Sequence, residues 1–145
     1  MRPASVVRFE YCYLAAIFIG LVNTVLTWNS LRGMLGNDPR ISQNIVNGTV
    51  ITTVVFTYGL SLLLWYLTAR RRSNVARMIV TVFFAIGLVS TLWSVSQAGY
   101  PMTLIGALGA VALVLQAAAI FFLFQPDSNV WFARHDAEPI GQTFE

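Results

Sequence analysis

Arg70-Arg71-Arg72-Ser73-Asn74-Val75-Ala76-Arg77 places four of the chain's nine basic residues in eight positions, and a long apolar run leaves it in each direction. A cationic clamp between two membrane-length segments reads as a cytoplasmic hairpin, because short loops rich in arginine or lysine stay on that side of the membrane. Arg70, Arg71, Arg72 and Arg77 are therefore the topology-determining residues. The flanking runs, 49–69 and 75–97, each hold the roughly 20 apolar residues that a helix needs to cross the hydrocarbon. Two further runs, 9–28 and 102–124, have the same character. The fold expected is an all-α membrane protein: a four-transmembrane-helix bundle, N-in/C-in, forming one membrane domain over 1–145. Its hairpin is 70–77, and a tail at 127–145 carries a short C-terminal interfacial helix.

The charge distribution sets the orientation. Arg2, Arg8, Arg70, Arg71, Arg72, Arg77 and Arg134 fall on the clamp side of these spans, and only Arg32 and Arg40 fall opposite. This asymmetry argues against a dual-topology antiparallel dimer. Composition agrees: 57% of the 145 residues are hydrophobic and 10% are charged, against about 25% charge in an average soluble domain. Mean hydropathy is +0.68. Such a chain cannot cover a water-facing surface, and four spans leave no room for a separate soluble domain. The basic pI follows from arginines at span ends. No stripe is large enough to neutralise many phosphates, so nucleic acid is not an expected partner.

The opening residues 1–8 are short and basic, like the start of a signal peptide. The apolar run at 9–28 exceeds an h-region and no small-x-small cleavage site closes it, so it reads as a retained first span. Ser5 is its expected N-cap, and Glu10 stays solvated at the membrane edge near Arg8. Residues 29–48 form the longest connection and the sizeable external loop, with turn formers at Gly33, Gly36 to Pro39 and Asn47-Gly48. Asn47-Gly48-Thr49 has the form of a glycosylation sequon but reads as a turn followed by a threonine cap. Ser73 or Asn74 caps the third span. Gly99-Tyr100-Pro101 is a tight external turn, and Pro126 stops the fourth span, after which Asp127 or Ser128 caps a short helix to Arg134. Trp28, Trp65, Tyr66, Trp131 and Phe132 are the expected interfacial anchors.

Buried ionisable groups mark ion and proton pathways in spans, and none falls in the four cores. That makes proton-coupled transport by this chain alone an unfavoured reading. Neutral polar residues do occur. Serine and threonine can satisfy themselves on the carbonyl one turn back, but Asn23 and Gln116 cannot and so should face other helices. Gly106-x-x-x-Ala110, with Gly109 between, has the small-xxx-small spacing that lets two backbones approach closely. These five are the helix-packing candidates. Phe83-Phe84 and Phe121-Phe122 read as lipid-facing bulk.

Catalytic, cofactor-binding and metal-ligating sets are absent. The one histidine, His135, lies in the tail beside Asp136 and Glu138, far short of the several ligands a metal needs. The one cysteine, Cys12, excludes an intrachain disulfide. The chain therefore reads as no enzyme and as needing no cofactor.

Arg2-Pro3-Ala4-Ser5-Val6 at the start, Asn74-Val75-Ala76-Arg77 opening the third span and Trp131-Phe132 after a phenylalanine-rich helix resemble a loose group of uncharacterised small four-span bacterial proteins. In that group an Asn-Trp-Ala-Arg-like segment opens the third helix; here Val75 replaces the aromatic. The resemblance implies a multi-pass protein of the bacterial inner (cytoplasmic) membrane. Its partners would be the lipid bilayer and other membrane subunits or copies of itself. Two functions stay open: a non-catalytic accessory or assembly subunit of a larger complex or homo-oligomer, and a small oligomeric channel or transporter with a neutral polar pore.

Overall fold

The structure is a computed structural model describing residues 3–35, 42–71, 73–99, 101, 103–128 and 131–132. In lipid every backbone N–H and C=O must be paired internally, so apolar segments of this length become helices. Among the described residues these are α1 Ala4–Leu26, α2 Trp28–Leu35, α3 Gln43–Ala69, α4 Asn74–Ala98 and α5 Leu104–Leu123. Four of them, all but α2, are long and apolar enough to cross a membrane. Short helical turns follow at 126–128 and 131–132, and no strand occurs among the described residues. The chain is an all-α, four-span membrane protein.

Several ends differ from the sequence reading. The N-cap of α1 is Pro3, with no side-chain cap bond, and Ser5 lies inside the helix with its hydroxyl engaged elsewhere. α3 starts at Gln43 instead of near 49, because Ile45 and Val46 already donate to the Ser42 carbonyl at 2.9 and 3.2 Å. Asn47-Gly48-Thr49 is therefore helix interior and not a turn. A glycine there costs about 1 kcal/mol, which burial of Val46 and Val50 on either side of it offsets. The long loop shortens accordingly, since α2 takes up part of it; residues 36–41 lie outside the described residues. Ser73 does cap α4, its Oγ accepting from the Ala76 amide at 3.2 Å. Thr103 caps α5 in the same way through the Gly106 amide. Gly99, at φ 71°, closes α4 in the left-handed region that glycine enters without steric cost.

The spans form a ring in which α1 touches α3, α3 touches α4, α4 touches α5 and α5 returns to α1. The α1–α5 contact is by far the most extensive. Its antiparallel register is fixed at three levels. Ser5 hydrogen-bonds Asp127, Phe9 clusters with Leu123, and Asn23 lies beside Gly109. Buried Ser5, Phe9 and Ala16 on α1, and Ala112, Ala119 and Leu123 on α5, recur at steps of four and seven residues. That is the 3.5-residue repeat that keeps one stripe facing a partner helix. Alanine along it brings the backbones close, and dispersion between them replaces the hydrophobic effect, which is absent between helices in lipid.

The ring is tight at one end and open at the other. Phe9, Ala69, Ala119, Leu123 and Phe132 form one buried cluster; Leu64, Ala76 and Val80 form a second beside it. Both lie in the half that carries the arginines. Among the described residues of α4, burial stops at Val80. Beyond it α4 leans away, and a cleft of about 540 Å³ opens between α4 and α5 toward the Gly99–Pro101 turn.

Candidate functional site

Three polar neighbourhoods lie along the bundle axis. At the arginine end the start of α1 is joined to the chain after α5. Ser5 Oγ donates to Asp127 Oδ2 at 2.7 Å and lies 2.7 Å from Ser128 Oγ, while Ser128 Oγ reaches the Phe122 carbonyl at 3.0 Å. Ser5 and Ser128 are 1% and 0% exposed. Ser5 and Ser128 thus form a clasp, and Asp127 accepts from Ser5 where a cap on the following turn was expected. The Ser5 hydroxyl bond holds the Asp127 carboxyl below the usual carboxylate value. A depressed folded pKa adds stability above the unfolded value and loses it as pH falls through the folded one. Tail docking, read as hydrogen exchange around 127–128, is expected to stay flat from about pH 8 to about pH 5 and weaken only in stronger acid, with Asp127→Asn abolishing the acid step.

The arginines at this end do different things. Arg70 pairs with Glu10 at 3.4 Å and lies over the Trp65 ring; Arg71 is exposed. Arg72 lies outside the described residues. Arg77 is only 6% exposed, its guanidinium 4.0 Å from the Phe124 ring centroid and 5.2 Å from that of Phe132. Phe132, expected as an interfacial anchor, is instead a 2%-exposed core residue. Its ring finds more contact in the bundle end than a headgroup region offers. Trp65 and Trp131 are half-buried against the same cluster, with Trp65 Nε1 shielded and unbonded among the described residues; Tyr66 is exposed. Trp28 opens α2, half-buried. His135 lies outside the described residues.

Near mid-span, all four membrane helices contribute to a cavity of about 130 Å³. Its lining includes Tyr13 from α1, Ser61 from α3, Phe84 from α4 and Gln116 from α5. Tyr13 Oη donates to the Ser61 carbonyl at 3.4 Å, and Ser61 Oγ donates to Thr57 O at 2.8 Å. Phe83 and Phe121 are largely exposed, as lipid-facing bulk should be, though Phe83 also borders this cavity beside Phe84, and Phe122 lies under Arg8.

The far cleft has Asn23, Ser90, Thr91 and Ser94 around a floor that includes Gly109 and Ala110. Asn23 Oδ1 is shielded and has no hydrogen-bond partner among the described residues. Thr91 returns its hydroxyl to the Gly87 carbonyl at 2.8 Å. Gly106 borders the same cleft, but a Cβ there would overlap the Pro101 carbonyl oxygen. It is glycine because the preceding turn folds back on it, so it is a turn residue before it is a helix-packing one. Gly109, by contrast, has ordinary room against Asn23 at 3.8 Å.

Sequence reasoning picked out Asn23 and Gln116, and each borders a separate void in the bundle. It missed Tyr13, although a tyrosine deep in an apolar run signals a polar tip in need of a partner. It also missed the Ser5 clasp, whose partners are separated by more than a hundred residues. Among the described residues no three histidine, cysteine, aspartate or glutamate side chains gather as a metal site would need. The arrangement offers neutral hydrogen-bonding groups in an apolar frame. No protein-family model, no curated protein and no solved structure matches the chain.

Proposed function

We propose that this chain is a non-catalytic subunit of a bacterial cytoplasmic-membrane assembly, with both termini in the cytoplasm, that holds a further transmembrane helix in its far cleft. The observation that supports this reading is the cleft itself. Its floor of Gly109 and Ala110 lets a helix backbone approach, and Asn23 Oδ1 offers an acceptor at its edge. A bound helix that turns the Asn23 side chain toward the cleft and donates to it would gain an interhelical hydrogen bond, worth on average about 0.6 kcal/mol, and would satisfy an oxygen that is shielded and unpartnered among the described residues. The arginine-rich end supplies the cytoplasmic orientation through the positive-inside rule.

The test is the mass of the gently extracted assembly by native mass spectrometry, in wild type and in Ala110→Leu. Ala110→Leu fills the cleft floor while sparing the α1–α5 stripe, and it is expected to strip the assembly to the lone chain. Gly106→Leu would distort the Pro101 turn and is the wrong probe. A wild-type chain that is monomeric, or an assembly that Ala110→Leu leaves intact, would count against the cleft as the interface. The channel reading draws on one observation, the mid-span cavity with its uncharged polar lining. It requires a solute flux in reconstituted vesicles that Gln116→Leu alters.

A further inference from the structure

The cavity where the four spans meet combines a volume with an unmet chemical need. Tyr13, Ser61 and Gln116 lie about 10–15 Å inside the arginine-side ends of their helices at 1.5 Å rise per residue, close to the middle of a hydrocarbon layer about 30 Å thick. The Gln116 amide carries two N–H donors and a carbonyl acceptor, and no described residue hydrogen-bonds any of them. Tyr13 Oη has only a long 3.4 Å contact to a helix carbonyl. Ser61 Oγ, having donated to Thr57, keeps its acceptor lone pairs. Leaving an amide bare in an apolar medium costs several kcal/mol. Polar groups from three helices therefore converge on a space of about 130 Å³, and a water in a polar cavity needs two to four such partners.

We infer that this cavity is an internal hydration site, holding a cluster of about four waters (at ~30 Å³ each) bound by the Gln116 amide, the Tyr13 hydroxyl and Ser61. The cluster completes the hydrogen bonding of Gln116 and bridges α1, α3 and α5 at a depth where α4 supplies only apolar groups, Val80, Phe83 and Phe84.

Hydroxyl-radical footprinting of the intact chain in lipid nanodiscs reads this directly, since radicals generated from water oxidise side chains beside bound water. Tyr13 and Phe84 are expected to oxidise roughly tenfold faster than Phe18 and Phe56, which are 67% and 69% exposed to the lipid side of α1 and α3. Gln116→Leu, close in shape and without the amide, is expected to bring Tyr13 and Phe84 down to the rate of the lipid-facing pair. Equal rates for both pairs in wild type would show a dry cavity and overturn the proposal without any variant. Fast oxidation that survives Gln116→Leu would remove Gln116 as the water-holding residue.

Discussion

Ala119→Leu is expected to be among the most damaging single changes to this bundle. Ala119 is fully buried in the α1–α5 stripe, and Phe9, Leu123 and Phe132 occupy the space around it. A larger core side chain typically costs 1–3 kcal/mol through off-rotamer neighbours and displaced backbone. Here the cost should fall at or above about 3 kcal/mol, because the added methyls separate the helices along the stripe and forfeit dispersion at every level. Little is recovered in return, since lipid solvates leucine as well as the bundle does. Ala117→Leu is the control, because Ala117 is exposed on the same helix; it should stay within about 0.5 kcal/mol of wild type. Equilibrium unfolding in mixed micelles measures both, and equal effects would mean that α1 and α5 do not pack as described.

Arg77→Met should release the tail while leaving the four spans inserted. The guanidinium is stacked against Phe124 at the end of the last span and Phe132 in the turn beyond it, so one cation ties the start of α4 to the C-terminal segment. A desolvated cation–π contact is worth about 2 kcal/mol or more, which corresponds to a roughly thirtyfold rise in the open population of the tail. Methionine keeps the apolar bulk and removes the charge, so hydrogen exchange at the Trp131 and Phe132 amides isolates the electrostatic part. Arg77→Lys should fall between, because an ammonium lacks the planar face that stacks on rings. Exchange in Arg77→Met equal to wild type would reduce Arg77 to a packing residue.

The chain's local chemistry already contained the four spans. Insertion is decided segment by segment, by apolar length and by the arginines between, and both are properties of short windows of sequence. For the same reason the Ser73 cap and the Gly99 turn were legible, since a cap or a left-handed glycine is settled by its immediate neighbours. Asn47-Gly48 marks the limit of that logic: its turn propensity is local, but the helix begun at Gln43 and the burial of Val46 and Val50 outweigh it.

What only the tertiary structure decided are the relations between residues far apart in the chain. The length of the apolar runs told that helices exist, not that α1 would choose α5 over α3, because between spans in lipid the choice rests on close shape fit and not on hydrophobicity. The same holds for individual side chains. Ser5 looked like a cap and became a clasp to Asp127 and Ser128. Arg77 looked like one of four equivalent charges and became a buried link between α4 and the tail. Phe132 looked like a headgroup anchor and became core. Gly106 looked like a helix-contact residue and proved to make room for the Pro101 carbonyl. Sequence determined which segments enter the membrane, because lipid reads each segment separately; packing decided what they form there, because contact energy depends on which surfaces meet.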